Sequence, residues 1–291
     1  MIVEHIEYNY FIEQFKGGRL VKVFISVDIE GISCVVNSDS TTATGKTYDE
    51  ACRQMTAEVN AAIEGAIAAG ATEIIVNDSH GGMNNIKPAD LHPAASIILG
   101  TPKPLMMMEG LDSDCQAALL IGYHARMHSA GVLAHTISGG VVSNIWVNDV
   151  LCGEIGINAG LAGHFGVPIA LVSGDRDTTL EAQALLEGVE VAIVKEAITR
   201  YSAKNLHPSR AAEHIKRQTE QALSKLPALK PLIFSTPVTM RLELLNSGMA
   251  DAAGFLPHAR RLDGRTLTYT AEDYVTAFQG LRAMITLAAK N

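Results

Sequence analysis

Two carboxylates and two imidazoles fall where three apolar runs of the chain come to an end. Val23-Phe-Ile-Ser-Val-Asp-Ile-Glu-Gly31 closes on Asp28 and Glu30. Glu73-Ile-Ile-Val-Asn-Asp78 runs into Ser79-His80-Gly81-Gly82, and Ala117-Ala-Leu-Leu-Ile-Gly122 into Tyr123-His124-Ala125-Arg126. Successive residues of a strand face opposite ways, so Asp28 and Glu30 share a face, with Cα atoms about 7 Å apart at roughly 3.3 Å of rise per residue. Buried unpaired charge is costly, and its remedies are a proton, a basic partner or a metal ion. One Asp-x-Glu at a strand end, or one loop histidine, is ordinary solvated polarity. Three strand ends converging on Asp, Glu and two His point instead to a metal site.

A third carboxylate, Glu154 in Cys152-Gly-Glu-Ile-Gly156, opens a predicted helix, where the helix dipole accounts for it as well as a ligand role does. Asp28, Glu30, His80, His124 and Glu154 together exceed the three or four protein ligands of one catalytic zinc, which predicts two ions sharing a carboxylate, with Asp28 central. Two cations about 3.5 to 4 Å apart acidify a bridging water to hydroxide and polarise a carbonyl or phosphoryl oxygen, so hydrolysis is the predicted reaction class. The N/O donor set favours zinc, with manganese and iron next. His135, in Gly131-Val-Leu-Ala-His135, could donate to an oxyanion or carry a proton to a leaving amine. From the residues alone a solvated loop histidine explains it better.

The elements that position these groups alternate in type. A helix is predicted from Thr47, with Glu50 completing a capping box, through Met55, Val59, Ala62, Ile63, Ala66 and Ile67 to a stop at Gly70. Further strands are predicted at Ser96–Leu99, Ile145–Asp149 and Pro168–Ser173, the last ending in Asp175-Arg176-Asp177, charges placed to support the site. The pattern predicts an α/β fold, a mostly parallel sheet with helices on both faces and ligands at the carboxyl ends of its strands. From residue 189 a strand (Val189–Lys195), a polar amphipathic helix (Pro208–Leu226), a strand (Leu232–Thr236) and a closing helix (Asp273–Ala289) predict a smaller α+β second domain. The expected division is thus 1–20, an N-terminal extension expected to be disordered; 21–188, the metal-binding α/β domain; and 189–291, the second domain, with the segment near 100–115 packing against it.

Composition narrows the partners. Of 291 residues 47% are hydrophobic and 19% charged, the net charge is −8, and no Lys/Arg run exceeds Arg260-Arg261, so no footprint for nucleic acid is visible. No apolar stretch reaches the roughly 18 to 20 residues of a membrane helix. Residues 1–20 lack the basic start and apolar run of a signal peptide. The four cysteines are scattered without a CxxC pair, which predicts reduced thiols and a cytoplasmic protein. HExxH, GxSxG and GxGxxG are absent, which removes support for the common zinc peptidase, serine hydrolase and dinucleotide readings.

Several blocks in a fixed order carry a resemblance: Ser26-Val-Asp-Ile-Glu-Gly-Ile-Ser33, Val76-Asn-Asp-Ser-His80, Met83-Asn-Asn85, Leu91-His-Pro93, Glu109-Gly-Leu-Asp112, Gly122-Tyr-His-Ala-Arg126 and Gly153-Glu-Ile-Gly156. From about residue 21 to the C-terminus the chain resembles the DppA-type D-aminopeptidases, bacterial di-zinc peptidases. The resemblance implies two zinc ions per subunit and short peptide substrates with D-residues at the N-terminus. It also implies a ring-shaped homo-oligomer, a decamer of two stacked pentamers. It assigns Asp28 as the bridge, Glu30 and His80 to one zinc, and His124 and Glu154 to the other. It makes His135 the catalytic histidine. Two departures stand out: residues 1–20 have no counterpart, and Cys34 occupies a place where the family has a small residue such as Gly. Alternatives are a dimetal amidase or phosphoesterase and, in a different class, a non-catalytic peptide-binding or structural ring protein.

Overall fold

The computed structural model describes residues 21–290, so the expectation for residues 1–20 lies outside the described part. Lys22–Val27 (β1) is buried along its whole length, as a largely apolar strand covered on both faces should be. Glu73–Asp78 (β2) and Ala95–Ile98 (β3) lie on one side of it. Cys115–Ile121 (β4), Ile169–Asp175 (β7), Glu190–Thr199 (β8) and Ser202–Asn205 (β9) follow on the other, giving the order β3-β2-β1-β4-β7-β8-β9. All neighbours pair in parallel except β8 and β9.

Alternation along β1 divides the core. Val23, Ile25 and Val27 face a layer with Met55, Val59, Ile63 and Ile215, from the helices Tyr48–Ala68 and Pro208–Ser224. Phe24 faces the other way, into a core shared with Ile155 and Leu161 of the helix Glu154–His164. The same core takes in Met240, Leu242 and Phe278 of a second sheet and its closing helix Tyr274–Ala288. That second sheet is antiparallel, built from Val142–Val147 (β5), Val150–Cys152 (β6), Val238–Leu244 (β10), Arg260–Arg261 (β11) and Thr266–Ala271 (β12) in the order β11-β12-β10-β5-β6.

The sheets do not divide at the expected 188/189 break. Strands β8 and β9 and the helix 208–224 complete the first sheet and its helical layer, while β5 and β6, earlier in the chain, belong to the second sheet. The change of texture at 189 reflects an edge: β8 is half-exposed toward its end and the helix buries a single stripe, so both are more polar than the central strands. Around 100–115, Met107, Met108 and Leu111 enter the core that holds Leu242 and Phe278, and Arg282 donates to the Lys103 carbonyl.

Leu232–Thr236 forms no strand; Pro231 precedes it and Pro237 follows it, and neither can donate to a ladder. The helix after Thr47 begins where expected, but Thr47 does not cap it; its hydroxyl pairs with Ser40 instead. Asn148 and Asp149, both at positive φ, make the two-residue turn between β5 and β6.

Candidate metal centre

Asp28 follows β1, His80 follows β2 and His124 follows β4. Because β1 lies between β2 and β4, Asp28 emerges between the two histidines. This is the point at which the order of strands reverses, where a crevice opens at the carboxyl ends of a parallel sheet. Gly31 lets the chain turn over the end of β4: its amide donates to the Gly122 carbonyl at 2.7 Å, and a Cβ on it would lie 1.9 Å from the Tyr123 carbonyl oxygen. Glu154 arrives from the far side, on the helix that follows the β5–β6 hairpin.

The described residues form two trios of ligand-type side chains, Asp28 with Glu30 and His80, and His124 with Glu154 and His135. Asp28 faces both. Its Oδ1 is 3.2 Å from His80 Nδ1 and its Oδ2 3.5 Å from His124 Nε2. Glu30 Oε2 is 3.0 Å from His80 Nδ1, and Glu154 Oε1 is 3.3 Å from His124 Nε2. All three carboxylates are buried. Glu154 does not cap its own helix; its Oε1 accepts the Ile137 amide.

Backbone carbonyls settle which ring nitrogen is free. A carbonyl only accepts, so the nitrogen facing one carries the hydrogen. His80 Nε2 donates to the Thr41 carbonyl at 2.7 Å, His124 Nδ1 to Ala125 at 3.0 Å and His135 Nδ1 to Leu133 at 3.0 Å. His80 Nδ1 and His124 Nε2 are therefore the ring nitrogens left to face the carboxylate oxygens, and each needs a proton or a metal ion there. Lone pair against lone pair at 3.0 to 3.5 Å is repulsive unless a cation lies between them. Glu30 Oε2 and His124 Nε2 are buried without a hydrogen-bond partner. Protons relieve the repulsion in one way, divalent ions in another, and the buried N/O donor set with carbonyl-fixed rings suits zinc.

The ionisation of the site follows from the same contacts. Burial, together with the Glu30 charge, pushes Asp28 up. Burial also opposes the charged form of Glu30, but His80 and the other two rings outweigh it and hold Glu30 well below the usual carboxylate range. For His124, burial is outweighed by Glu154 and Asp28, which raise the ring to about 10. His80 is raised likewise by Glu30 and Asp28 against burial. His135 goes the other way, lowered by burial and by the neighbouring His124 ring.

The structure thus brings together Asp28, Glu30, His80, His124 and Glu154, and it places His135 beside them. The His135 ring stacks on His124 with centroids 4.1 Å apart, and its Nε2 is 3.9 Å from Glu154 Oε1. Asp175 caps the helix Arg176–Leu185 through the Thr178 amide, and its Oδ2 accepts the Val132 amide at 2.6 Å, tying down the loop that carries His135.

Other supports had no pattern in the chain. Lys195, fully buried, donates to the carbonyls of Glu30, Ile32 and Val35 and holds the turn after β1. Beneath the site Ser26, Ser79, Tyr123 and Asn158 form a buried hydrogen-bonded floor. Ser26 and Asn158, polar residues inside apolar runs, were its one visible signal. Cys34 has φ +69°, in the left-handed region that favours glycine.

Fold and donor set together describe an α/β metallohydrolase type of site at a strand-order reversal. The sequence profile of peptidase family M55, D-aminopeptidase, matches residues 21–283, and the chain belongs to this family. A D-aminopeptidase of Bacillus subtilis (strain 168) is 36% identical over 271 residues, covering 93% of this chain and 98% of the relative. A solved structure, the Zn-dependent D-aminopeptidase DppA from Bacillus subtilis, described as a self-compartmentalizing protease, matches with TM-score 0.91 and 36% identity. It covers 93% of this chain and 99% of its own.

Proposed function

We propose that this protein is a zinc-dependent aminopeptidase that removes N-terminal D-amino acids from short peptides. The observation that carries the metal part is the pair of imidazole nitrogens, on His80 and His124, turned against the oxygens of Asp28, Glu30 and Glu154 while carbonyls hold the other nitrogen of each ring. Glu30 and His80 would hold one zinc, His124 and Glu154 the other, and Asp28 both. Their three carboxylate charges nearly offset two divalent ions. Bound zinc supplies Lewis acidity, polarising a peptide carbonyl and acidifying water.

The protein's own groups do the rest. The carbonyls of Thr41 and Ala125 hold the ligand rings in one tautomer, and burial of the carboxylates keeps bulk water from competing for their charge. His135 is the proton carrier. With Nδ1–H committed to Leu133, only Nε2 can take up a proton and return it to the leaving amine, and its lowered pKa keeps it neutral and able to accept. The trio it forms with His124 and Glu154 favours a second reading, His135 as a ligand. The variant His135→Ala separates the two: a proton carrier leaves the zinc content intact, a ligand does not.

The D-preference rests on the similarity to D-aminopeptidases. Oligomeric assembly is supported by the relative described as self-compartmentalizing, and a ring-shaped decamer of two stacked pentamers is the form proposed for it. No helix of the described residues is long and apolar enough to cross a membrane. All four cysteines are free thiols, three of them buried, which supports a cytoplasmic location. Turnover of D-Ala and L-Ala p-nitroanilides, phosphate esters and other amides, before and after chelation, tests the activity. D-selective anilide hydrolysis lost with the metal supports it; phosphate-ester or non-peptide amide turnover alone refutes it.

A further inference from the structure

Strands β8 and β9 lie at the sheet edge, with β4 and β7 between them and β1, yet their hairpin reaches the loop of His135. That loop runs through Leu133, a branched residue at φ +54°, a conformation costly to a side chain of this kind. Two contacts with one residue of the hairpin hold it there. The Leu133 amide donates to the Arg200 carbonyl at 2.9 Å, and the Arg200 guanidinium donates to the carbonyl of Ala134, the residue before His135. Leu133 in turn offers the carbonyl that His135 Nδ1 uses. The guanidinium is itself steadied: Arg200 Nε donates to the Tyr201 hydroxyl at 3.2 Å, and its Cζ lies 5.6 Å from the centre of the Tyr201 ring.

We propose that Arg200 is a positioning residue for His135, fixing through Ala134 and Leu133 the direction in which the imidazole presents Nε2 to the metal-site carboxylates. The proposal rests on the reading of His135 as the proton carrier. Arg200 is exposed, and one hydrogen bond to a carbonyl from an exposed arginine adds little to the stability of the fold. Its effect falls on geometry. Displacement of a catalytic group by about 1 Å costs roughly 100-fold in rate, so a loosened loop is read in turnover before it is read in folding. The anchor of Asp175 on Val132 is independent of Arg200 and keeps the loop attached when the guanidinium is removed.

The test compares Arg200→Met, Arg200→Lys and His135→Ala with the wild type. Four quantities are measured: kcat and KM on D-Ala p-nitroanilide, zinc per chain, and amide exchange across residues 127–140. The proposal expects kcat of Arg200→Met to fall between about 10-fold and about 100-fold. KM stays within about twofold, as for an interaction that acts on the transition state and not on uniform binding. Zinc is retained, exchange at 133–135 speeds up, and Arg200→Lys recovers much of the loss because it keeps a donor. Wild-type kcat in Arg200→Met beside an inactive His135→Ala overturns it, as does loss of zinc in Arg200→Met. Wild-type kcat in His135→Ala overturns the reading of His135 itself, a failure distinct from the first. If Arg200→Met does not fold, Arg200→Gln, too short to reach the Ala134 carbonyl, decides: lowered kcat with faster exchange at 133–135 and retained zinc upholds the proposal, while wild-type kcat or loss of zinc overturns it.

Discussion

The two halves of the candidate metal centre are built differently. Asp28, Glu30 and His80 come from the tips of two adjacent parallel strands, β1 and β2, paired in register from Lys22 and Glu73 to Val27 and Asp78. Their positions follow from where each strand ends. His124, Glu154 and His135 come from one strand tip, the first turn of a helix and a loop, and the chain enters the second sheet between His135 and Glu154. A half made from neighbouring strand tips needs only the sheet. A half made across two sheets needs separate anchors for each piece: Asp175 and Arg200 for the His135 loop, the Ile137 amide for Glu154, and Glu181, whose Oε2 accepts the Arg126 amide beside His124.

Removing a ligand from either half tests whether the two are one site. His80→Ala and His124→Ala are each expected to abolish turnover while lowering zinc content, with the far-ultraviolet circular dichroism spectrum unchanged; turnover surviving in either variant would separate the halves. His135→Ala is expected to cost between about 100-fold and about 10,000-fold in kcat without loss of metal. Activity assays beside metal analysis check both at once.

The anchors of the second half should be softer targets than its ligands. Asp175→Ala removes a helix cap and the hold on Val132, and is expected to cost about 1 to 2 kcal/mol of stability, measured by urea unfolding, together with a partial loss of kcat. An equal loss of zinc would mean that the loop and the ligands are not separable.

The effect furthest from turnover, on stability alone, concerns the support of the first half. Glu58 accepts the Ser33 amide beneath the Glu30 turn, and burial pushes its carboxyl up from 4.5 to about 7. A carboxyl raised on folding contributes stability below its unfolded pKa, and loses that contribution as pH rises through the folded value. Glu58→Gln, which keeps the acceptor, is therefore expected to be more stable than the wild type at pH 8, by at most about 3 kcal/mol, with the difference vanishing near pH 4. Unfolding curves at the two pH values check it; equal stability at pH 8 would place Glu58 in a charged state paired across the core with Lys195.

This contrast also explains what could be read from the chain. The tips carrying Asp28, Glu30, His80 and His124 were legible because each follows a mostly apolar run, and a parallel sheet gathers such ends on one side. Glu154 and His135 were legible only as candidates. A helix start accounts for one and a loop for the other until the fold places them against His124. Arg200 and Lys195 left no trace, because both act on backbone carbonyls, which every residue carries. The strand order of the two sheets was not legible for a related reason: β8 and β9 are edge elements with polar texture, and texture reports exposure before it reports connectivity.

The central claim is that Asp28, a member of one trio that also faces His124 of the other, makes this a two-ion site. Zinc per chain, measured on protein purified without chelator or affinity-tag metal and repeated on Asp28→Ala, tests it most directly. Two zinc per chain in the wild type and the loss of both, or of all tight binding, in Asp28→Ala is the predicted result. One zinc or none in the wild type after reconstitution, or two retained in Asp28→Ala, would contradict it.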